Sequence, residues 1–538
     1  MTNTNVARFL DQQVKENPEA PALKIPRRNK DTLTYETYSF GELDNLVGLR
    51  RKALQEQGIR TGTRTLLLVK PGLDLIVTVF ALFKEGAIPI VIDPGMGLRG
   101  FLRCVRHTRP EALVAIPVGQ MISWVFWGSF DSVKNRLWIR RGALSVKIAE
   151  RSSEPAVSRD KNAEAAILFT SGSTGPAKGV TYTHGMFDAQ VRLIRETWEI
   201  QPGEVDLPML PVFALFNPAL GMTTIIPEIN PSRPATVNPA KIVEALENDR
   251  ITNSFGSPVL WKIITSYAKK KGLRLPGPRR ILMAGAPVPA SLHAKVQKYI
   301  PGAQTFTPYG ATEALPVSSI SGEEVLQITS ALTRQGKGTC VGRPVKGMEV
   351  QIIEWNEAPR KQVSSQDFLS TGKIGEIIVR GPVVTETYDN LPEATAKAKI
   401  PSDQGIWHRM GDMGYFDDEG LLWFCGRAAE QVLTSSGPVF TDCVEGLFQD
   451  FPGVNRVALI GLGPAGEQVP ALVAEPEIWP RKRKEKEALF EALQKRAGKN
   501  PLSAKLERFF LKRKFPVDVR HNAKIHRLTL KKHFDRRT

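Results

Sequence analysis

Apolar runs of strand length alternate with longer, helix-like stretches over roughly the first 430 residues of this 538-residue chain. Arg64 to Lys70 (RTLLLVK) predicts a buried strand, Leu73 to Lys84 predicts a helix, and Ala87 to Ile92 (AIPIVI) predicts the next strand. A strand, a helix and a second strand in this order are typical of a β-α-β unit. The pattern therefore predicts an α/β fold in which helices pack on layered sheets.

The pattern changes near Arg427. From Gly405 to Gly426 the chain consists of short strand-like segments separated by turn residues. In the C-terminal part, Val454 to Leu462 predicts a strand, and the charged segment around Arg481 to Arg496 predicts a helix. The last part of the chain therefore reads as a separate α+β unit.

A chain of 538 residues is too long for one compact core. We predict a large N-terminal domain of layered sheets and helices, residues 1–427, and a small, mobile α+β lid domain, residues 428–538. The hinge between the two domains is expected over residues 427–430.

The most lipid-like segment is Ala112 to Phe130 (ALVAIPVGQMISWVFWGSF). Pro117, Gly119 and Gln120 interrupt it, so its apolar run is shorter than the ~18 residues that a membrane span requires. We predict a buried strand followed by an apolar helix or loop. The alternative is a surface that faces an acyl chain or a lipid, which would mean peripheral membrane association without a transmembrane segment.

The net charge of +18 is concentrated at the C-terminus, where residues 481–538 contain 20 Lys and Arg against 6 Asp and Glu. Such a basic block is either a solvated face or a site for an anionic partner, such as nucleic acid, phospholipid or an acidic protein. The segment has no evident nucleic-acid-reading motif and few aromatic residues. A nucleic-acid partner is therefore not expected.

Cysteine and histidine spacing gives no sign of a zinc site or a disulfide framework, since no CxxC pair occurs and no two histidines have metal-ligand spacing. The N-terminal residues 1–19 are polar and lack an apolar stretch of signal-peptide length. These observations predict a cytoplasmic protein. No GxSxG nucleophile motif is present, so covalent hydrolase chemistry is not indicated.

The strongest local motif is Thr170 to Val180 (TSGSTGPAKGV), which directly follows the strand-like segment Ala165 to Phe169. Its glycines let the backbone approach a phosphate closely, its hydroxyl groups can donate hydrogen bonds, and Lys178 supplies positive charge. The motif differs from GxxxxGK[ST] because Gly179 follows the lysine. It predicts a nucleotide-phosphate loop made of Thr170, Ser171, Gly172, Ser173, Thr174, Gly175 and Lys178.

Five further segments follow this loop in order: Gly285-Ala286-Pro287, Tyr309-Gly310-Ala311-Thr312-Glu313, Asp412 in GDMG, Arg427 in FCGR and Lys524 in NAKIHR. Taken alone, each has an ordinary explanation, such as a helix start, a turn carboxylate, a surface arginine or one lysine in a basic tail. Together with the loop, the ordered set resembles the ANL superfamily of adenylate-forming enzymes over about 350 residues.

The resemblance implies how ATP would be held. The backbone of Gly285, Ala286 and Pro287 would lie against the adenine and the acyl carbonyl, and the Tyr309-Gly310 segment would place the tyrosine ring on the adenine. Asp412 would accept hydrogen bonds from both ribose hydroxyls, which suits a carboxylate. Arg427 would also contact the nucleotide.

The resemblance also implies the catalytic groups. Thr312 would contact a phosphate, and Glu313 would help to hold a Mg²⁺ ion that bridges the ATP phosphates. Lys524 would arrive on the mobile domain and neutralise charge as a carboxylate attacks the α-phosphorus. The implied reaction is ATP-dependent activation of a carboxylate as an acyl adenylate.

Three positions depart from the superfamily members that transfer the acyl group to coenzyme A. Ala214 follows the turn Pro211-Val212-Phe213, where those members usually carry a histidine. Ala429 replaces the usual Asp or Lys of the hinge, and Leu433 replaces a lysine used in the thioester-forming state. These departures weaken the expectation of thioester formation.

The strings PVFALFNPALGM, FTPYGATEALPVSSI and GTCVGRPVKG resemble a branch that makes β-lactones in olefin biosynthesis. The resemblance implies a long-chain 2-alkyl-3-hydroxy acid as substrate, with attack of its β-hydroxyl on the adenylated carbonyl. Other olefin-biosynthesis enzymes are then possible partners in an assembly. Phe213, Phe216, Asn217 and Phe255, with Trp261, either line the acyl pocket or belong to the core. The alternative function is that of a fatty acyl-CoA or fatty acyl-AMP ligase.

Overall fold

The computed structural model describes residues 3–29, 32–140, 154–169, 176–230, 233–518 and 524–535, except the side chains of Pro94 and Pro211. Among these residues the β-strands form one very large sheet, one six-stranded sheet, a three-stranded sheet and a two-stranded ribbon. The prediction of an α/β fold with layered sheets and helices is confirmed.

The six-stranded sheet contains the predicted β-α-β unit. Strand Arg64–Leu68, helix Leu73–Glu85 and strand Ile88–Val91 follow one another, and the two strands are parallel neighbours. All neighbouring strands in this sheet are parallel except the last pair. In spatial order the sheet consists of Asn135–Trp138, Ala112–Ala115, Arg64–Leu68, Ile88–Val91, Glu164–Phe169 and Gly179–Thr183.

The large sheet combines a parallel half and an antiparallel half, so that strands from distant parts of the sequence meet side by side. In spatial order its described strands are Glu349–Ile353, Gly375–Arg380, Gly405–Phe416, Leu422–Arg427, Thr339–Pro344, Ala314–Ser321, Gln304–Ala311, Arg280–Met283, Asn253–Gly256, Val205–Asp206, Thr223–Ile225, Pro21–Asn29 and Thr32–Ser39, and Lys399–Ser402 pairs with Gly405–Phe416.

The C-terminal part builds its own sheet. Strands Val454–Leu462, Val469–Pro476 and Arg508–Leu511 pair with one another, and none of them pairs with the large sheet among the described residues. The ribbon Val432–Thr434 and Gly437–Val439 precedes this sheet. The domain boundary after residue 427 and the mobility of the lid remain predictions.

The described α-helices lie between and around these sheets. They are Arg8–Glu16, Phe40–Glu56, Leu73–Glu85, Gly97–Thr108, Pro117–Val125, His184–Thr197, Asn217–Leu220, Pro239–Asn248, Pro258–Lys271, Ala290–Tyr299, Gly322–Glu324, Ser330–Thr333, Pro392–Ala398, Thr441–Gly446, Arg483–Ala497 and Arg527–Asp535. None of them is long and apolar enough to cross a bilayer.

The segment around residues 112–130 folds as predicted from its pattern. Ala112–Ala115 is a strand whose four residues are all buried, and Pro117–Val125 is an apolar helix. The helix exposes several large apolar side chains, so the alternative of a lipid-facing surface stays open.

The largest core cluster joins the two main sheets. It includes Ala165 from the six-stranded sheet, Leu282 from the large sheet, and Leu43 and Phe80 from the helices between them. Because this apolar cluster is continuous, the two sheets are packed as one unit.

Lys84 is almost fully buried in this region, with 1% of its side chain exposed. Its ammonium nitrogen lies 2.7 Å from Asp11 Oδ1 and 2.6 Å from Asp44 Oδ1, so it ties together helices Arg8–Glu16, Phe40–Glu56 and Leu73–Glu85. A buried charge of this kind depends on its partners, because the surrounding apolar core cannot solvate an uncompensated ion.

We expect Lys84→Met to lower the free energy of unfolding by about 3–5 kcal/mol, because the substitution leaves the Asp44 carboxylate buried without its partner. Denaturant unfolding followed by tryptophan fluorescence measures this loss. Lys361→Met is the matched control, since Lys361 is exposed. A stability within about 0.5 kcal/mol of the wild type would contradict the role of Lys84.

Candidate active site

The segment Tyr309-Gly310-Ala311-Thr312-Glu313 forms the tip of a β-hairpin. Strands Gln304–Ala311 and Ala314–Ser321 are antiparallel, with Ala311 opposite Ala314 and Thr312 and Glu313 in the turn between them. A Cβ atom on Gly310 would lie 2.5 Å from the Ala314 carbonyl oxygen, so this position requires glycine. The alternative that this segment begins a helix is therefore wrong.

A second pair of strands places Asp412 and Arg427 beside the hairpin. The two residues lie directly opposite each other on strands Gly405–Phe416 and Leu422–Arg427. Arg427 Nη1 lies 3.0 Å from Asp412 Oδ1, and the Tyr309 hydroxyl donates a hydrogen bond of 2.6 Å to Asp412 Oδ2. The predicted adenine-stacking, ribose-binding and nucleotide-contacting side chains are thus brought together.

Asp412 still has acceptor capacity for a ligand. Its Oδ1 is buried and accepts no hydrogen bond from the described residues, although it forms the ion pair with Arg427. Burial raises the pKa of the Asp412 carboxyl, and Arg427 and the Tyr309 hydroxyl act in the opposite direction. A buried acceptor without a donor is the arrangement expected where ligand hydroxyls bind.

Glu313 is held in place by the segment that follows strand Gly375–Arg380. The Tyr388 hydroxyl donates a hydrogen bond of 2.8 Å to Glu313 Oε1, and the Thr385 amide donates one of 2.9 Å to the Glu313 carbonyl. Tyr182 donates from its hydroxyl to the Thr312 carbonyl. The turn is therefore fixed on both sides, with its carboxylate next to a tyrosine.

Most of the predicted phosphate loop, Thr170 to Gly175, lies outside the described residues. Lys178, at the end of the motif, is described, and its ammonium group lies 4.6 Å from the centre of the Tyr388 ring. The backbone after Lys178 pairs with the same segment, since the Asp389 amide donates to the Gly179 carbonyl at 2.8 Å. The lysine is thereby positioned on the tyrosine that binds Glu313.

Lys399 is a second buried lysine beside the same tyrosine, 5.9 Å from the ring centre. Its ammonium group donates to the carbonyl and the hydroxyl of Thr385. Burial lowers the pKa of Lys399 to about 7, Glu313 and Glu386 act in the opposite direction, and Lys178 lowers it further. Both Glu313 and Lys178 therefore act electrostatically on Lys399.

Lys524 reaches the same site from the C-terminal part of the chain. Its amide donates to Asp518 Oδ1 at 3.0 Å, and its carbonyl accepts from the Asp518 amide at 3.1 Å. Burial lowers the pKa of Lys524 and Arg427 lowers it further, whereas Asp518, Asp412 and Glu313 act in the opposite direction. The charges of Arg427, Asp412 and Glu313, residues that the sequence assigns to the nucleotide and the metal, therefore act on this lysine.

Arg527 anchors the segment that carries Lys524. Its guanidinium lies 2.8 Å from Glu430 Oε2 and 2.6 Å from Glu445 Oε2, and all three side chains are largely buried. Glu430 belongs to the turn at the predicted hinge, Ala428–Glu430. The position of Lys524 is therefore tied to the hinge by an ion pair.

Gly285-Ala286-Pro287 follows strand Arg280–Met283, as the sequence predicts. Gly285 has a φ of 93°, a backbone conformation that L side chains rarely adopt, so glycine is required in this turn. The turn begins at the carboxyl end of a strand that is hydrogen-bonded to strand Gln304–Ala311. Because these two strands are parallel, the turn and the hairpin tip lie at the same edge of the sheet, where the strands have their carboxyl ends.

All four predicted substrate residues, Phe213, Phe216, Asn217 and Phe255, line one cavity. The cavity is predominantly apolar, has a volume of about 40 Å³, and is bounded by Pro308, Leu315 and Pro316 of the hairpin. The rings of Phe213 and Phe255 stack with their centres 3.7 Å apart. Trp261 is fully buried in the core, so for this residue the core alternative is correct.

The cavity has one carboxylate. Asp206 accepts hydrogen bonds from the side-chain amides of Asn217, at 2.8 Å, and Asn253, at 2.7 Å, and burial raises its pKa to about 6. Asn253 begins strand Asn253–Gly256, and the carboxyl end of this strand lies at the same edge of the sheet as the hairpin tip. Asp206 therefore forms a polar floor, away from the tip of the hairpin.

Sequence reasoning missed several residues of this site: Tyr182, Thr385, Tyr388, Lys399 and Asp206. Lys399 stands in the lysine-rich stretch KAKI, which reads as surface sequence. Only the pairing of strand Lys399–Ser402 with strand Gly405–Phe416 turns it inward. Its role depends on tertiary structure, so no local pattern could have indicated it.

Comparison with known proteins supports one family. Residues 10–389 match the family model described as AMP-binding enzyme. The chain is 40% identical to "Olefin beta-lactone synthetase" of Stenotrophomonas maltophilia, covering 97% of this chain and 96% of that protein. It is 41% identical to the protein of the same description from Xanthomonas campestris, covering 98% and 96%. The crystal structure of ATP-bound MatB from Rhodopseudomonas palustris matches with a TM-score of 0.79 at 19% identity and 99% coverage of both chains.

We expect Lys399→Met to weaken ATP binding about tenfold near pH 7, because negatively charged phosphates favour the protonated form of this lysine. The wild type should also bind ATP progressively more weakly as the pH rises above about 7, since binding must then take up a proton. Calorimetric titration at several pH values measures both effects.

The control is Lys397→Met, which removes an exposed lysine two residues away. The control should bind ATP as the wild type does, and it should keep the pH dependence. If Lys399→Met retained the affinity and the pH profile of the wild type, the ammonium group of Lys399 would have no part in nucleotide binding.

Proposed function

Because the chain belongs to the AMP-binding enzyme family, we propose that it is an AMP-forming ligase that converts a long-chain 2-alkyl-3-hydroxy acid into a β-lactone. The observation that carries this proposal is the similarity at 40–41% identity, over nearly the whole chain, to two proteins described as olefin β-lactone synthetases. The convergence of the nucleotide residues with Lys524 agrees with it.

ATP is held by the residues around the hairpin. Asp412 has a buried acceptor oxygen for the ribose hydroxyls, Tyr309 provides an aromatic ring fixed by its hydrogen bond, and Arg427 neutralises the carboxylate. The turn at Gly285 approaches with backbone only. Lys178 and Lys399 supply positive charge at the phosphate end, beside Glu313.

The residues at the hairpin fit a Mg²⁺ ion that is shared with ATP. The described residues contain no cluster of three or more metal-ligating side chains, so a fully protein-bound ion is not supported. Mg²⁺ characteristically binds one or two carboxylates and completes its coordination with substrate phosphates and water. Glu313 would be the protein ligand, and the bound ion would neutralise phosphate charge.

In the first half-reaction a carboxylate oxygen of the substrate attacks the α-phosphorus, and the bond to pyrophosphate breaks. Negative charge accumulates around the α-phosphorus, and we assign its stabilisation to Lys524, whose charge interacts with those of Arg427, Asp412 and Glu313. Because desolvation lowers its pKa, the lysine gains more from pairing with this charge than an exposed lysine would. The products are the acyl adenylate and pyrophosphate.

In the second half-reaction the β-hydroxyl oxygen of the same substrate attacks the acyl carbonyl. A new C–O bond closes the four-membered ring, the bond to AMP breaks, and the hydroxyl proton is released to water. No second substrate has to be captured, so the loss of translational entropy is avoided, which offsets part of the ring strain.

The three departures from thioester-forming members are consistent with this second step. Ala214 is buried in the turn Pro211–Leu215 and offers no hydrogen-bonding side chain, and Ala429 and Leu433 are equally unable to supply one. A mechanism in which the nucleophile is already attached to the substrate does not need these groups. The departures therefore favour the lactone over a coenzyme A thioester.

The acyl group would occupy the cavity lined by Phe213, Phe216 and Phe255, with Asn217 and Asp206 at its floor. A volume of about 40 Å³ holds only a few water molecules. A long alkyl chain therefore requires the stacked phenyl rings to move apart. The cytoplasmic location and an assembly with further olefin-biosynthesis enzymes remain predictions.

We expect Lys524→Ala to slow substrate-dependent exchange of pyrophosphate into ATP by about 10²–10³-fold, with little change in ATP affinity, because the lysine acts on the developing charge. Lys532→Ala, which removes an exposed lysine of the following helix, should retain full exchange. Exchange at the wild-type rate in Lys524→Ala would refute the catalytic role.

The product distinguishes the two candidate functions. With ATP, Mg²⁺ and a synthetic 2-alkyl-3-hydroxy acid, we expect mass spectrometry to show the β-lactone, and we expect the same yield with and without coenzyme A. The matched control substrate is the 2-alkyl acid without the hydroxyl, which should release pyrophosphate but give no lactone. A strict requirement for coenzyme A, with a thioester as product, would establish an acyl-CoA ligase instead.

A further inference from the structure

Helix Pro117–Val125 has its polar side chains turned inward and its apolar side chains turned outward. Gly119, Gln120 and Ser123 are its buried residues. The large exposed side chains are all apolar: Val118 at 53% exposure, Met121 at 56%, Trp124 at 55% and Val125 at 70%. A helix on a water-facing surface normally has the opposite arrangement.

Hydrogen bonds fix this orientation. The Gln120 side chain donates to the Leu137 carbonyl at 3.1 Å, and Arg136 Nη1 donates to Ser123 Oγ at 2.6 Å and to Gln120 Oε1 at 3.2 Å. At Gly119 an added Cβ atom would lie 3.0 Å from side-chain atoms of Ala115 and Leu68, so the inner face has no room for a larger residue. The apolar face cannot be turned inward without breaking these contacts.

The exposed apolar surface continues beyond the helix. Trp127, in the following turn, is 74% exposed, and Trp138 is 37% exposed with its ring centre 5.5 Å from that of Trp124. We call Val118, Met121, Trp124, Val125, Trp127 and Trp138 the tryptophan patch. Grouped exposed apolar residues mark a docking site, and tryptophan is enriched at boundaries between an apolar medium and water.

Basic residues flank the tryptophan patch. Residues 97–140 contain seven Lys and Arg against two Asp and Glu. Arg99, Arg103 and Arg106 are exposed along one face of helix Gly97–Thr108, and Arg106 Nε donates to Ser129 Oγ at 2.9 Å. This bond places the arginine face next to the turn that carries Trp127.

We propose that the tryptophan patch docks this protein on the surface of an anionic lipid bilayer. An apolar face with tryptophans and an arginine-rich flank has the chemistry of an interfacial helix, which inserts its apolar side chains among lipid headgroups and pairs its cations with lipid phosphates. The positive flank selects anionic lipid over an uncharged apolar partner. The protein binds peripherally through one short helix, and the proposal is independent of the reaction at the active site.

Vesicle co-sedimentation of the full-length protein tests this proposal. We expect binding to vesicles of equal parts phosphatidylcholine and phosphatidylglycerol, weaker binding to phosphatidylcholine alone, and a loss of binding as salt is added. The double variant Trp124→Ser with Trp127→Ser should lower the partition coefficient at least about tenfold, because two large apolar side chains no longer insert. These side chains are exposed, so the variant should unfold at the wild-type temperature.

The control for lost apolar surface is Ile328→Ser with Ile478→Ser, two exposed residues outside the patch, which should bind as the wild type does. For charge, Arg99→Gln with Arg103→Gln should weaken binding to the anionic vesicles. Arg481→Gln with Arg483→Gln removes the same charge from the basic C-terminal segment and should have little effect. This comparison separates the patch from general adsorption by the basic tail.

Three results would overturn the proposal. The first is undiminished vesicle binding by the double tryptophan variant. The second is an equal or larger loss for the Arg481 and Arg483 variant, which would assign binding to the tail. The third is no vesicle binding together with a dimer in light scattering that the tryptophan substitutions abolish, which would make the patch a contact between two copies of the chain.

Discussion

The cross-strand pair of Asp412 and Arg427 is the interaction on which the active site depends. The Asp412 carboxylate is buried and accepts a hydrogen bond from the Tyr309 hydroxyl of the neighbouring hairpin, and the charges of both Asp412 and Arg427 act on Lys524. Arg427 is also the last residue of the large sheet before the predicted hinge. One ion pair thus connects the proposed nucleotide residues, the hairpin tip and the segment that carries Lys524, and its buried carboxylate is costly to leave without a partner.

The sequence indicated candidate nucleotide-binding and catalytic residues, but it did not indicate the residues that hold them in position. The phosphate motif, the YGATE segment, Asp412, Arg427 and Lys524 were predicted because their order along the chain resembles that of a known superfamily, whereas each of the later segments alone has an ordinary explanation. The proximity of Tyr309, Asp412 and Arg427 could not be derived from local pattern, since it depends on which strands become neighbours in the large sheet. Tyr388 and Lys399 illustrate this limit. Tyr388 donates a hydrogen bond to Glu313, and Lys399 lies beside the Tyr388 ring. The sequence around these two residues does not distinguish them from surface residues.

Local periodicity predicted strands and helices well where the apolar pattern was strong, as in the unit from Arg64 to Val91. The apolar pattern did not indicate which residues are buried where an apolar segment lies at the surface. Helix Pro117–Val125 is apolar enough to suggest a buried element, yet the structure buries its glutamine and serine and exposes its tryptophan. A period of 3.6 residues identifies two faces of a helix, but only the packing against strand Asn135–Trp138 decides which face is outside.

In the proposed reaction the substrate carboxylate attacks the α-phosphorus of ATP before the ring closes. A substrate labelled with heavy oxygen in both carboxylate positions tests it most directly, through the masses of the released AMP and pyrophosphate. We expect one heavy oxygen in AMP, none in pyrophosphate and one in the lactone carbonyl. Heavy oxygen in pyrophosphate or inorganic phosphate, or unlabelled AMP beside a labelled lactone, would contradict it.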